Sequence, residues 1–265
     1  VRLFIISDLH LSDGRALSTF GWPEDAFIEA MEAIREGHAV DRVVLNGDVF
    51  DLYHSKYRHI ADHNRKLVDY LATIDAVFIK GNHDRALEHT REFCSIVNSR
   101  GEKIHIEHGH RADVFNGTGL GRGLGRVFFH LLMSASRFAR PCAWYFGCVH
   151  RMEARKDRRT RNSNRHLRYA SKLLRHNDVV VLGHTHKIEV RQTDTRNGRK
   201  RYFNSGSCSL GRMQGIVLDT ETLEHTAIRF DPFRRGNAGA AGIAQRATAI
   251  SRSSSVTPAP VTRRR

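Results

Sequence analysis

Short apolar runs recur along the chain, each closed by Gly, Asp, Asn or His, and the segments between them carry the wider spacing of amphipathic helices. RLFIIS (residues 2–7), RVVLN (42–46) and AVFIK (76–80) predict buried strands. Between the first two, WPEDAFIEAMEAIREG sets Pro23 where a helix can begin, acids in its first turn and Gly37 where it can stop. HIADHNRKLVDYLATI (59–74) predicts one helix and DRALEHTREFCSIVNSRG (84–101) another, ending near Gly101. KIHIE (103–107) and DVVVLG (178–183) return to strands. KIEVRQT, KRYFNSGS, QGIVLDTETL and HTAIRF then follow as short strands between turns, an antiparallel continuation. This alternation predicts an α/β layered fold, and no internal repeat is visible.

Two segments break the pattern. Between His110 and Asp178, LGRVFFHLLMSASRFAR can form a nearly all-apolar helix stopped by Pro141, CAWYFGCV is apolar, and RMEARKDRRTRNSNRHLRYASKLLRH is a basic helical stretch. Residues 117–178 are read as a helical cap inserted into one domain spanning 1–233. Residues 234–265, rich in Gly, Ala, Ser, Thr and Arg and free of acids, predict a disordered tail.

Charge sharpens this division. The chain of 265 residues carries a formal +15, but the insert holds 14 Lys/Arg against 3 Asp/Glu and the tail 7 against none, so the rest is mildly acidic. Four cysteines without Cys-x-x-Cys spacing argue against a zinc ribbon or a disulfide framework. No apolar run reaches the roughly 20 residues a spanning helix needs. The start VRLFIISDLH leaves no room for a signal peptide, so a cytoplasmic protein is expected, peripheral to the membrane if the insert binds one.

The chemistry lies at the strand ends. Successive strands run into SDLHLS, NGDVFD, KGNHDR, EHGHRA and LGHTHK, so five of them deliver Asp, His or Asn. In an α/β sheet the carboxyl ends of the strands share one edge, where groups distant in sequence converge. One Asp-x-His pair occurs by chance in many chains, and a lone histidine is more often structural than a ligand. The joint occurrence, in order and at the ends of apolar runs, is a different matter. Mixed Asp, His and Asn ligands suit manganese, iron or zinc, and seven such residues exceed the usual complement of one ion. Two ions sharing a carboxylate are suited to phosphoryl displacement.

The ordered set Asp-x-His, Gly-Asp-x-x-Asp, Gly-Asn-His-Asp, His and Gly-His-x-His resembles the calcineurin-like metallophosphoesterase superfamily, over all but the insert and tail. The resemblance implies a β-sandwich flanked by helices that binds two divalent metal ions, manganese first, with iron or zinc as alternatives. By position, Asp8, His10 and His186 hold one ion, Asn82, His108 and His184 hold the other, and Asp48 bridges them. His83 matches the catalytic histidine that protonates the leaving oxygen or stabilises transition-state charge, and Asp84 the acid that orients it. Asp51 reads as a supporting or turn-stabilising acid. Asn204, in an Asn-x-Gly-Ser loop, is given a structural role. His110 faces either the same cleft or the surface, and His54, His59 and His63 read as surface residues.

The implied reaction is hydrolysis of a phosphoester or pyrophosphate bond by a metal-bridging hydroxide, without a covalent enzyme intermediate. In layout, SDLHLS, GDVFDLYH and a helical insert before GHTH resemble the UDP-2,3-diacylglucosamine diphosphatases, although those carry Arg where this chain has His83. The expected partner is a phosphorylated small molecule or a lipid-linked nucleotide, with the aromatic, Arg-rich insert touching lipid or an anionic membrane. The insert reads equally well as a helical hairpin packed on the domain with its arginines solvated. Two other classes stay open: a nuclease or nucleotide phosphodiesterase that binds nucleic acid through the basic insert and tail, and a non-catalytic scaffold.

Overall fold

The computed structural model describes residues 1–15, 18–53, 55–88, 90–113, 148, 161–195 and 198–230. Ten strands form two sheets of five. The first contains β1 (Arg2–Ile6), β2 (Arg42–Asn46), β3 (Val77–Ile79), β9 (Met213–Asp219) and β10 (His225–Phe230) in the order β10-β9-β1-β2-β3. The second contains β4 (Cys94–Val97), β5 (Lys103–Ile106), β6 (Val179–Leu182), β7 (Glu189–Thr195) and β8 (Gly198–Asn204) in the order β4-β5-β6-β8-β7. β1, β2 and β3 are mutually parallel, as are β5, β6 and β8, so each set ends at one edge of its sheet.

Alternation along the strands divides the core. Leu3, Ile5 and Val44 of the first sheet pack with Ile104, Val181 and Phe203 of the second, filling the space between the sheets. Phe4, Ile6, Val43 and Leu45 face the other way, onto Phe27, Met31 and Ile34 of α1 (Glu24–Gly37) and Leu67 and Leu71 of α3 (Arg65–Thr73). On the far side, Val180, Leu182 and Tyr202 lie under Ala170 of α4 (Arg161–Leu173). Strands buried on both faces read as continuous apolar runs, and each fully buried side chain of this size contributes about 1.5–3 kcal/mol. Among the described residues no helix is long and apolar enough to cross a membrane.

Three sequence expectations are corrected. KRYFNSGS, expected in an antiparallel continuation, forms β8, which pairs antiparallel with β7 but parallel with β6. The single helix predicted over 59–74 is two, α2 (Tyr57–His63) and α3, because Asn64 takes a non-helical backbone between them while its amide donates to the carbonyls of Ser12 and Ile60. The helix predicted over 84–101 does not form. Asp84 is held in a turn, Arg91 bridges to Ile79, and Cys94–Val97 pairs antiparallel with β5. Gly101, at φ 79°, sits in the hairpin turn rather than at a helix stop, and Asn98 brackets that turn by accepting the Arg100 and Glu102 amides. Pairing with an apolar neighbour overrides the local helical pattern. Most of the predicted cap, and all of the tail at 234–265, lie outside the described residues; α4 is the described end of the cap.

Asp178 ties three strands together: its carboxylate accepts the Lys103 amide at 2.8 Å and the Lys200 ammonium at 2.8 Å. Burial opposes its ionisation, but Lys200 and the Lys103 amide outweigh burial and hold the carboxyl below its ordinary 3.8. A depressed carboxyl stabilises the fold fully above its unfolded pKa, and the contribution is lost as pH falls through the folded value. Asp178→Asn is therefore expected to cost about 1 kcal/mol at neutral pH. In urea denaturation the variant and parent curves should converge as pH falls below the lowered pKa of Asp178 in the folded protein.

Candidate metal centre

The five strand ends meet on one rim. β1 delivers Asp8 and His10, β2 delivers Asp48, the loop after β3 Asn82 and His83, β5 His108, and β6 His184 and His186. The loops are stitched to one another by backbone bonds: Asp8 N–H donates to Gly47 O and His10 N–H to Asp48 O, both at 3.0 Å. Asp8, His10, Asp48, His184 and His186 have φ values of 53–67°, the left-handed region that non-glycine residues seldom adopt. Each costs about 1–3 kcal/mol and persists only where its surroundings fix it.

Three groups of ligand atoms result, each within 4.8 Å of one another: Asp8, His10 and His186; Asp48, His108 and His184; and His10, Asp48 and His83. In the first, Asp8 Oδ1 lies 3.1 Å from His186 Nε2 and 3.8 Å from His10 Nε2, and the two imidazole nitrogens are 3.3 Å apart. In the second, His108 Nε2 is 3.2 Å from Asp48 Oδ2. His108 Nδ1–H donates to Asn46 O at 2.8 Å, which leaves Nε2 as the ligand atom. Asp48 stands in two of the groups, and its Oδ1 also accepts the His83 amide at 2.8 Å.

These residues fit divalent cations. Asp8 Oδ1, Asn82 Oδ1 and His108 Nε2 are buried and make no hydrogen bond, even though Asp8 Oδ1 and His108 Nε2 lie close to facing ligand atoms. Spacings of 3.1–3.8 Å are those of neighbouring ligands around one ion with bonds of about 2.0–2.2 Å. The protonation pattern agrees. Burial opposes ionisation of Asp8, yet His186 and His108 hold it well below the usual carboxylate range, and Asp48 is held low in the same way by His108 and His83. In return, burial would keep His108 neutral, but Asp48 and Asp8 raise it to about 10. Two buried carboxylates thus draw protons onto imidazoles where cations would supply the charge.

The surroundings hold the ligands in place. Ser7 Oγ donates to Asp8 Oδ2 at 2.6 Å and lies 2.7 Å from Ser205 Oγ, and His184 N–H donates to the same Asp8 oxygen. Asn204, buried at the end of β8, donates to Gly183 O at 2.8 Å, next to His184. Ser207, the Ser of the Asn-x-Gly-Ser loop, donates to Asp8 O at 3.2 Å, while Ser7 and Ser205 carry no signal in sequence beyond their place beside the motif residues. His110, read as cleft or surface, is buried against His108 with ring centroids 5.7 Å apart. His166, an unremarked residue of the basic helix, stacks on His184 at 5.4 Å. Asp113, also unforeseen, faces His184 Nε2 at 3.4 Å. His63 is exposed and His59 partly so, while His54 lies outside the described residues.

One expected role moves. Asp84, read as the acid that orients His83, spends its two oxygens on the Gly81 amide at 2.6 Å and the Val49 amide at 2.8 Å, stapling one loop to the other. The acid beside the imidazole is Asp51, whose Oδ1 lies 2.9 Å from His83 Nδ1. Spacing decides this: a residue adjacent to His83 in a tight turn points elsewhere, whereas Asp51 comes from the facing loop. Burial lowers His83, but Asp48 and Asp51 outweigh it and raise it to about 9. Burial and the nearby Asp48 push Asp84 up to about 6.

Gly81 is fixed by this packing, since a Cβ there would run into Asp48 Oδ1 and the Asp48 amide. Gly81→Ala is expected to displace Asp48, cost about 1–3 kcal/mol by overpacking, and lower the metal content of the purified protein, read by elemental analysis.

Residues 1–222 match the family described as the calcineurin-like phosphoesterase superfamily domain. A comparison with curated proteins returned no match. Among solved structures, wild-type Vps29 of Entamoeba histolytica complexed with zinc is 16% identical, over 89% of this chain and 95% of that one, at a TM-score of 0.45. A dimetal phosphatase of Danio rerio is 11% identical, over 86% and 95%, at 0.47. A predicted phosphoesterase of Streptococcus pneumoniae is 14% identical, over 86% and 88%, at 0.37. With the family matched over most of its length, the chain belongs to the calcineurin-like phosphoesterase superfamily.

Proposed function

We propose that the protein is a dinuclear-metal-dependent hydrolase of a phosphoester or pyrophosphate bond. The observation that carries this reading is the convergence of Asp8, His10 and His186 beside Asp48, His108 and His184 as two sets of inward-facing lone pairs. Asp8, His10 and His186 hold one ion, His108, His184 and Asn82 the other, and Asp48 stands between them. Manganese suits the mixed oxygen and nitrogen set, as do iron and zinc. Bound divalent ions neutralise phosphoryl oxygens and acidify water at neutral pH.

The chain's own residues do the rest. His83 Nδ1–H donates to Asp51, which leaves Nε2 to carry the proton that a leaving oxygen needs. The His83 amide, bonded to Asp48 Oδ1, fixes the imidazole beside the ligand groups, and His10 packs edge-on against its ring at 4.7 Å. Asp84 holds that loop in register.

Within this class, a lipid-linked nucleoside diphosphate resembling UDP-2,3-diacylglucosamine is the substrate we favour. The motif layout and the basic helix α4 beside the rim support it, and they also support a peripheral contact with an anionic membrane from the cytoplasmic side. The test is hydrolysis of UDP-2,3-diacylglucosamine by the manganese-loaded protein beside an aryl phosphodiester. UMP release that His83→Ala abolishes is expected. Aryl cleavage without UMP release would reject the lipid substrate and turn attention to nucleotides and nucleic acids. Silence on both would leave the non-catalytic scaffold.

A further inference from the structure

Tyr53 takes part in none of the roles above. It lies two residues after Asp51, on the loop that follows β2, and is half-buried. Leu52 beside it packs against the helix-side core, whereas Tyr53 joins none of the three apolar clusters. Its ring lies instead on His83, with centroids 4.2 Å apart and planes tilted by 45°. One loop therefore supplies both the acid at His83 Nδ1 and an aromatic ring against the imidazole.

A proton donor needs its ring held. The terminal torsion of histidine has broad wells, so the plane of the imidazole is not set by the rotamer alone. The Asp51 bond at 2.9 Å anchors one nitrogen but still lets the ring rock about that anchor. His10 meets the imidazole edge-on at 4.7 Å and Tyr53 meets it at 4.2 Å, and together they take up that freedom. His10 is itself a ligand of the proposed centre, which leaves Tyr53 as the neighbouring ring without a ligand role. A misplacement of about 1 Å at a reacting group costs about 10²-fold in rate.

We propose that Tyr53 is a positioning residue for proton donation: its ring holds the plane of the His83 imidazole, so that Nε2 keeps one direction while Nδ1 is bonded to Asp51. This rests on the hydrolase reading above and deepens it. Delivery of the proton to the leaving oxygen then depends on three residues, His83, Asp51 and Tyr53.

The test gives the full-length, manganese-loaded protein two probes: methyl p-nitrophenyl phosphate, whose leaving oxygen departs with little help, and methyl phenyl phosphate, whose leaving oxygen depends more on a proton. Tyr53→Ala is expected to lower kcat on the phenyl ester about 10–100-fold and on the nitrophenyl ester far less. KM and manganese content should stay at the parent values. Tyr53→Phe, which keeps the ring, should restore the parent rate on both esters. In a His83→Ala background Tyr53→Ala should cost nothing more, because the group it positions is gone. Equal losses on the two esters, an undiminished loss in the His83→Ala background, or a Tyr53→Phe variant as slow as Tyr53→Ala would overturn the positioning role. A fall in manganese content would also overturn it, because Tyr53 would then act through the ligands. A parent protein that binds manganese and cleaves neither ester would instead refute the hydrolase reading, and the role of Tyr53 would fall with it.

Discussion

Asp48→Ala is expected to lower kcat/KM by at least about 10³-fold, or about 4 kcal/mol of barrier, and to leave the protein folded. Asp48 has the most shared position on the rim. One oxygen takes the His83 amide and the other lies 3.2 Å from His108 Nε2, and the side chain belongs to both the His108–His184 and the His10–His83 groups. Removing it separates the two sets and leaves His108 without its nearest countercharge, which His83 loses as well. Manganese content and hydrolysis should fall together. A variant that keeps both ions and full activity would take Asp48 out of the centre.

His83→Ala is expected to reduce kcat by about 10²–10⁴ while metal content stays at the parent level. The loss should shrink for an aryl ester, whose leaving oxygen needs less help from a proton. A finer comparison separates Asp51 from Asp84. His83 acts while protonated, and its pKa is raised to about 9 by Asp48 and Asp51 against the pull of burial. Activity should therefore decline as pH rises through that value. Asp51→Asn removes one supporting charge, so the declining limb should move to lower pH, visible in a pH profile of kcat. Asp84→Asn should leave the limb near its place and act through the loop it staples. If Asp84→Asn shifts the limb and Asp51→Asn does not, the expectation from sequence holds over the contact in the structure.

Much of this arrangement was legible in the sequence because strand ends are marked by chemistry. An apolar run buried on both faces must stop abruptly, and the residues at the stop were the Asp, His and Asn that gather on the rim. The parallel set β1-β2-β3 follows from the same runs, whereas β8, expected in an antiparallel continuation, pairs parallel with β6 and antiparallel with β7, which only the sheet order reveals. The helix expected over 84–101 failed because EFCSIV supports either spacing, and only the neighbouring β5 decides for a strand. Asp84 was misplaced because adjacency in sequence says nothing about direction in a turn. His166 left no trace at all, since a histidine in a basic helix looks solvated until α4 is seen packed on the second sheet. The left-handed backbone at five site residues is also invisible in sequence, because none of them is glycine.

The central claim is tested most directly by counting ions. Equilibrium dialysis of the metal-free protein against manganese should show two ions per chain, with binding that releases protons and tightens as pH rises, because His108, held up to about 10 by Asp48 and Asp8, must give up its proton to become a ligand. Asp48→Ala should lose that stoichiometry. One ion or none in the parent protein, or two ions still bound after Asp8, Asp48 and His108 are all replaced by alanine, would contradict a dinuclear centre on this rim.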